Sequence, residues 1–185
     1  MKTSKVATKE FCRLCFLFII YAFMFSSCGG FKIVTIQNKN KGKDTLKFKA
    51  IKLSEFQEKS KKVVDAARKQ LGTPHLDKKP QKKTAVDCSE MTCKSYLAIG
   101  IVLPRTTSGQ VEVGKFISKE ALQKGDLVFF SSKRNNKEIS HVGLVSHAEN
   151  KKVFFIHTST SRGVVEDDFY MEHWQNVFVT ARRVL

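Results

Sequence analysis

No stretch of this chain is long enough to cross a bilayer as a helix. Its most apolar run, Leu14 to Phe25 (LCFLFIIYAFMF), has twelve residues, against the ~20 that a membrane-spanning helix needs. Acidic residues are scarce, 17 against 33 Lys and Arg, which leaves a formal charge of +16. That balance points to anionic partners: acidic polymers, anionic lipids or nucleic acid. Past Cys28 there is neither a C-x-x-C nor an H-x-x-x-H pair, so the usual zinc spacings are missing and no metal or cofactor is expected. No internal repeat interrupts the chain.

What the front of the chain does contain is a basic region, Lys2, Lys5, Lys9 and Arg13, followed by the short apolar core and then FSSCGG. Positive charge, a short hydrophobic segment and small residues together describe an export signal. A cysteine directly after the small residues predicts a lipoprotein: signal at 1–27, cleavage before Cys28 and acylation of the Cys28 thiol. Phe25 and Ser27 depart from the usual Leu and Ala or Gly of that pattern. The signal contributes +3 (four basic residues less Glu10), so +13 remains on the exported part. Export argues against nucleic acid as the partner, and places the protein on a bacterial membrane, facing the periplasm or the cell surface.

Export also sorts the five cysteines. Cys12 and Cys15 leave with the signal, Cys28 carries lipid, and Cys88 and Cys93 remain. Five residues apart on a helix, their Cα atoms would be about 8 Å apart and point apart around the axis, too far for a disulfide. A free thiol in an oxidising compartment invites a chemical explanation.

Residues 28–53 read as a tether or N-terminal arm. Within it, Leu46 and Phe48 alternate with Lys47 and Lys49, a pattern of an edge strand guarded by lysines. A capping box at Ser54 and Gln57 predicts the first helix and the start of a folded domain, 54–185. Val63, Val64, Ala67 and Leu71 share its buried face, and Gly72 and Pro74 end it. In DCSEMTCK (87–94), Asp87 is a good N-cap, and Glu90 is placed to bond back to the cap's N–H. Cys88 thus opens a second helix, which ends at Gly100. Strand-length apolar runs follow at 126–130, 140–146, 152–159 and 178–185. Helices first and consecutive strands after predict an α+β fold with an antiparallel sheet.

A helix N-terminus offers free N–H groups and the positive end of the dipole. Both stabilise a thiolate, and the same amides can receive an oxyanion. A nucleophile needs a base. If the turn between the second and third strands centres near Glu149, His141 faces His157 directly, on one side of the sheet. One imidazole then takes the thiol proton and the other holds it in the right tautomer. His147 reads as a turn residue, and His173 beside Trp174 as surface or packing. A Cys/His/His set supplies only three zinc ligands, so metal is not expected.

These residues in this order resemble the NlpC/p60 family of bacterial cell-wall cysteine peptidases. VVDAARKQLGTP looks like its first helix, DCSEMTCKSYLAIGIVLPRTT like its nucleophile helix and the loop after it, and LQKGDLVFF, ISHVGLV, FIHTSTSRGVV and FVTARRVL like its strands. The resemblance implies a papain-like α+β fold, with N-terminal helices packed on a central antiparallel sheet. It implies Cys88 as nucleophile, His141 as general base and His157 as the orienting residue. It further implies peptidoglycan stem peptides as substrate, cut between D-γ-glutamyl and a diamino acid, with Asp87, Ser89, His75 and Arg105 as substrate-binding residues. Three departures bear on specificity. Glu90 stands where glycine is usual, Thr107 where serine is common, and His75 takes the place of a tyrosine whose following Gly-Gly pair is missing. A non-catalytic wall-binding module, or an amidase or acyltransferase using the same trio, are the alternatives.

Overall fold

A computed structural model describes residues 40–77, 85–134 and 136–185. The expected signal, Cys28, the first part of the arm and the glycine-free stretch beyond Asp77 lie outside these residues. Residues 42–185 form one compact unit, which holds every described residue beyond Lys41. Among the described residues no helix is long and apolar enough to cross a membrane.

Helix α1 runs from Asn40 to Arg68. It therefore absorbs the segment 45–53, where an edge strand was expected from alternation. The chain from Lys43 to Leu71 holds no glycine or proline to break a helix. Pairs spaced four apart, Glu55–Lys59, Glu58–Lys62 and Lys61–Asp65, reinforce it on its wet side. Ser54 consequently caps nothing; its hydroxyl donates to the carbonyl of Ile51 one turn back. Val63, Val64 and Ala67 are fully buried as expected, whereas Leu71 lies past the helix end and is exposed.

Helix α2 spans Cys88–Leu97 and α3, a single turn, Thr107–Gln110. Six strands follow: β1 (Lys115–Ile117), β2 (Leu127–Ser131), β3 (Ile139–Glu149), β4 (Lys152–Ser159), β5 (Gly163–Asp168) and β6 (Phe178–Arg183), with a short helix α4 (Glu172–Val177) before the last. They form one antiparallel sheet in the order β1-β6-β2-β3-β4-β5. The α+β expectation holds, and two further short strands, β1 and β5, join the expected four.

Period-two alternation divides the sheet's side chains between two cores. Leu127, Phe129, Val142, Leu144, Ile156 and Val164 pack with Val63, Val64 and Ala67 of α1 and Met91 and Tyr96 of α2. Val128, Phe130, Val145, Val153 and Phe155 pack on the other face with Phe169, Val177 and Trp174. Burial on both faces explains why these strands read as continuous apolar runs rather than as alternation.

The exit of α1 is stitched to the sheet edge. Gly72 N–H donates to Val164 O (2.9 Å), and Val164 N–H to Thr73 O (2.8 Å). A side chain at Gly163 would collide with that Thr73 carbonyl, and its φ of +74° is one that glycine tolerates best. From there Pro74 O accepts from Val86 N–H, and Val86 O accepts from Leu76 N–H. His75 is thereby held alongside the residues that lead into α2.

Candidate active site

Cys88 sits at the first position of α2, and the cap is as expected: the Asp87 carboxylate accepts the Glu90 N–H at 2.8 Å. The other half of the box is not made. Arg105 arrives from the loop after α2 and takes the Glu90 carboxylate (3.3 Å), which Lys94 also approaches at 2.9 Å. The same guanidinium grips Asp87 with both its terminal nitrogens, at 2.9 and 2.6 Å, and reaches the Ser89 hydroxyl at 2.8 Å. Burial pushes the Asp87 carboxyl up, but Arg105, the Glu90 amide and the Ser89 hydroxyl together hold it below its usual range.

The loop that carries Arg105 is itself anchored by Gln110, which is fully buried. Its amide donates to the carbonyls of Ser89 and Pro104, and its oxygen accepts from Thr92. This places the Thr107 hydroxyl 3.7 Å from Cys88 Sγ. Cys93 faces the Leu103 and Pro104 carbonyls instead, and burial pushes its thiol up. Of the two free cysteines among the described residues, only Cys88 opens onto the large cavity.

That cavity has a volume of about 710 Å³, and its walls include His75, Cys88, His141, His157, Asp167, His173 and Trp174. The Cys88 thiol and both imidazoles thus share one space. Asp87, Ser89 and Arg105 are not among its walls; they form the ion-paired cluster beside it, at the tip of α2. Among the described residues no group of three or more His, Cys, Asp or Glu is arranged to hold a metal ion.

The β3–β4 hairpin turns at Asn150 and Lys151, both with positive φ (53° and 61°), a two-residue turn of the mirror-image kind. Glu149 faces Lys152 and His147 faces Phe154, then a bulge at Ser146 shifts the ladder, and Val145 faces Phe155. Continued, that register sets His157 opposite Gly143, two residues from His141. The direct pairing expected from the sequence is therefore off by two, an even shift that keeps both imidazoles on one face. His141 Nε2 and His157 Nδ1 lie 3.1 Å apart, with ring planes nearly perpendicular.

Aromatic walls fix both rings. Trp174 lies parallel to His141 and edge-on to His157, at centroid distances of 6.0 and 4.7 Å, and Phe155 stacks on His157 at 4.9 Å. The glycine at 143 is required here, since a Cβ would come within 2.5 Å of the Phe155 ring. Burial, with the neighbouring His157 and His75, pushes the His141 imidazole down to about 3. Burial also lowers His157, which Asp167 only partly offsets. Both are neutral at rest.

Three residues at this site escaped the sequence reading. Asp167 Oδ2 lies 3.0 Å from His157 Nε2, and Arg162 clamps the same carboxylate at 2.6 and 3.0 Å. Arg162, against the cost of burial and with help from His157, holds Asp167 down to about 2. Recognising β5 as a strand would have found Asp167. It faces Phe155 across the ladder and so lies on His157's side of the sheet. Trp174, read only as the neighbour of a surface or packing histidine, lies against both imidazoles.

The model of the NlpC/P60 family matches residues 77–183. This chain belongs to the NlpC/P60 family. Individual NlpC/P60 relatives agree with that match. The protein named murein DD-endopeptidase MepS/murein LD-carboxypeptidase of Escherichia coli is 36% identical over 104 residues, covering 56% of this chain and 52% of that one. The bifunctional muramidase/DL-endopeptidase CwlT of Bacillus subtilis is 32% identical over 122 residues, or 66% of this chain and 36% of CwlT. A solved NlpC/P60 family protein from Bacillus cereus superposes with a TM-score of 0.60 at 27% identity, over 68% of this chain and 40% of that one. The chain spans about half the length of MepS and less of CwlT.

Proposed function

We propose that this chain is a cysteine endopeptidase acting on the stem peptides of peptidoglycan. The single observation that carries the reading is the shared cavity: a thiol at a helix tip and a hydrogen-bonded pair of imidazoles on adjacent strands. Cys88 Sγ attacks an amide carbonyl while His141 takes the thiol proton. The N–H groups at the start of α2 receive the developing oxyanion. The imidazolium of His141 gives its proton to the leaving amine, the C–N bond breaks, and a thioester remains on Cys88. Water, deprotonated by His141, then releases the acyl group as a carboxylic acid. His157 holds His141 in the required orientation throughout.

Asp87, Ser89 and Arg105 serve the stem peptide from beside the cleft, with the Arg105 clamp ordering the other two. His75 stands on the cavity wall with its Nδ1 accepting the Asp77 N–H at 3.1 Å. Its Nε2–H is therefore the donor available to substrate. The bond we assign is D-γ-glutamyl to diamino acid. The name of CwlT, a DL-endopeptidase, is in keeping with it, while the name of MepS gives a DD bond. Digestion of purified muropeptides followed by mass measurement of the products tests the assignment. A fragment beginning at the diamino acid supports it, and cleavage at the cross-link instead overturns it.

Export and a lipid anchor on Cys28 complete the proposal, which puts the catalytic unit on a bacterial membrane within reach of the wall. Incorporation of a labelled fatty acid into the wild type and not into Cys28→Ala is the expected result. Equal labelling of both rules the anchor out.

A further inference from the structure

We propose that Asp167 and Arg162 are positioning residues. Through the line Arg162–Asp167–His157–His141 they fix which nitrogen of His141 is the base and set how readily the imidazole pair accepts a proton. The roles of His141 and His157 rest on the function proposed above, but the proton placement rests on hydrogen bonding alone.

A carboxylate only accepts. Asp167 therefore obliges His157 Nε2, 3.0 Å away, to carry the proton. His157 is almost wholly buried and neutral, so its Nδ1 is bare and accepts from His141 Nε2–H across 3.1 Å. The lone pair of His141 is thus confined to Nδ1, the nitrogen left to meet a thiol. Without the carboxylate, His157 loses the acceptor that selects its Nε2–H tautomer, and the lone pair of His141 is no longer confined to Nδ1.

Charge does separate work. As His141 takes a proton, positive charge builds on the pair, and Asp167 stabilises it from the far end. Arg162 moderates this, since its cation opposes charge on His157. The other titratable groups facing the cavity are Cys88 from α2, His75 from the segment before it and His173 from α4. Asp167 is the carboxylate hydrogen-bonded to the imidazole pair, and Arg162 is the cation bonded to that carboxylate.

The two residues therefore have opposite effects, which a purely structural role would not produce. In Asp167→Asn the amide oxygen keeps the tautomer but not the charge. The limb of the kcat/KM profile that titrates the imidazole pair moves to lower pH by ~1 unit, and kcat falls because the imidazolium loses its counter-charge. In Arg162→Met the same limb moves to higher pH. Nitrogen-15 NMR of the histidines reads the tautomers without any substrate, and so separates this proposal from the assigned activity. His157 is protonated at Nε2 in the wild type and in Asp167→Asn, and becomes a mixture in Asp167→Ala. Limbs that move together or stay still, or an unchanged tautomer in Asp167→Ala with the fold intact by circular dichroism, overturn the proposal.

Discussion

His141 and His157 meet at 3.1 Å across a ladder in which they are not partners. The contact depends on one extra residue. Without the bulge at Ser146, the register set by the Asn150–Lys151 turn would oppose His157 to Leu144, whose side chain points into the α1–α2 core. The bulge restores parity and sends His157 to His141's side.

Gly143 is the second device that this face requires. In Gly143→Ala the new methyl group meets the Phe155 ring, which stacks on His157. Overpacking of this kind costs ~1–3 kcal/mol. Urea denaturation is expected to show that loss, with catalysis falling further than stability because His157 is displaced. Unchanged stability and activity would contradict the packing described.

The two free thiols among the described residues are expected to differ in reactivity. Cys88 opens onto the cavity at a helix N-terminus, whereas Cys93 is turned toward the carbonyls of Leu103 and Pro104, and its thiol is pushed up by burial. Brief treatment with iodoacetamide near neutral pH, followed by peptide mapping, is expected to find the label on Cys88 with little on Cys93. Preferential labelling of Cys93 would reverse this reading.

Acid is expected to destabilise the fold early. His141 is depressed from 6.5 to about 3, so below pH 6.5 the unfolded chain binds a proton that the native state refuses. The corresponding stability is complete above 6.5 and is lost as pH falls toward 3, at no more than about 1.4 kcal/mol per pH unit and less for a ring partly open to the cavity. Asp167, depressed to about 2, adds a further loss only below its ordinary value near 4. Between pH 7 and pH 5 the urea midpoint of the wild type drops, and that of His141→Gln drops less. Equal drops would remove His141 from the acid response.

At the tip of α2, Asp87→Ala removes a cap and is expected to cost ~1 kcal/mol. Arg105→Ala breaks a solvent-exposed clamp and costs under ~1 kcal/mol. The pair should couple in a double-mutant cycle measured by urea denaturation. Strict additivity would mean that the clamp contributes nothing beyond its separate ends.

Legibility followed locality. The Asp87 cap and the position of Cys88 depend on four consecutive residues, and both were readable. So were the strands buried on two faces, whose apolar runs admit few other readings. The segment 45–53 misled because Leu46 and Phe48 alternate with lysines, while its helicity comes from continuity with the stretch of paired charges behind it. For Glu90 the helix offers a partner in its own cap, but Arg105, fifteen residues on, displaces it. The hairpin register failed by two because neither the φ of Lys151 nor the bulge at Ser146 leaves a mark in the residue pattern. Asp167 is hidden along with its strand, since GVVEDD shows no regular alternation and its last three residues are all acidic, with Glu166 and Asp168 exposed.

The most direct test follows the release of new amino groups from purified muropeptides by the wild type and by Cys88→Ala, His141→Ala and His157→Ala. Steady release is expected from the wild type, none above background from Cys88→Ala and His141→Ala, and a slowed reaction from His157→Ala. Release by a folded Cys88→Ala variant at the wild-type rate would contradict the proposed chemistry.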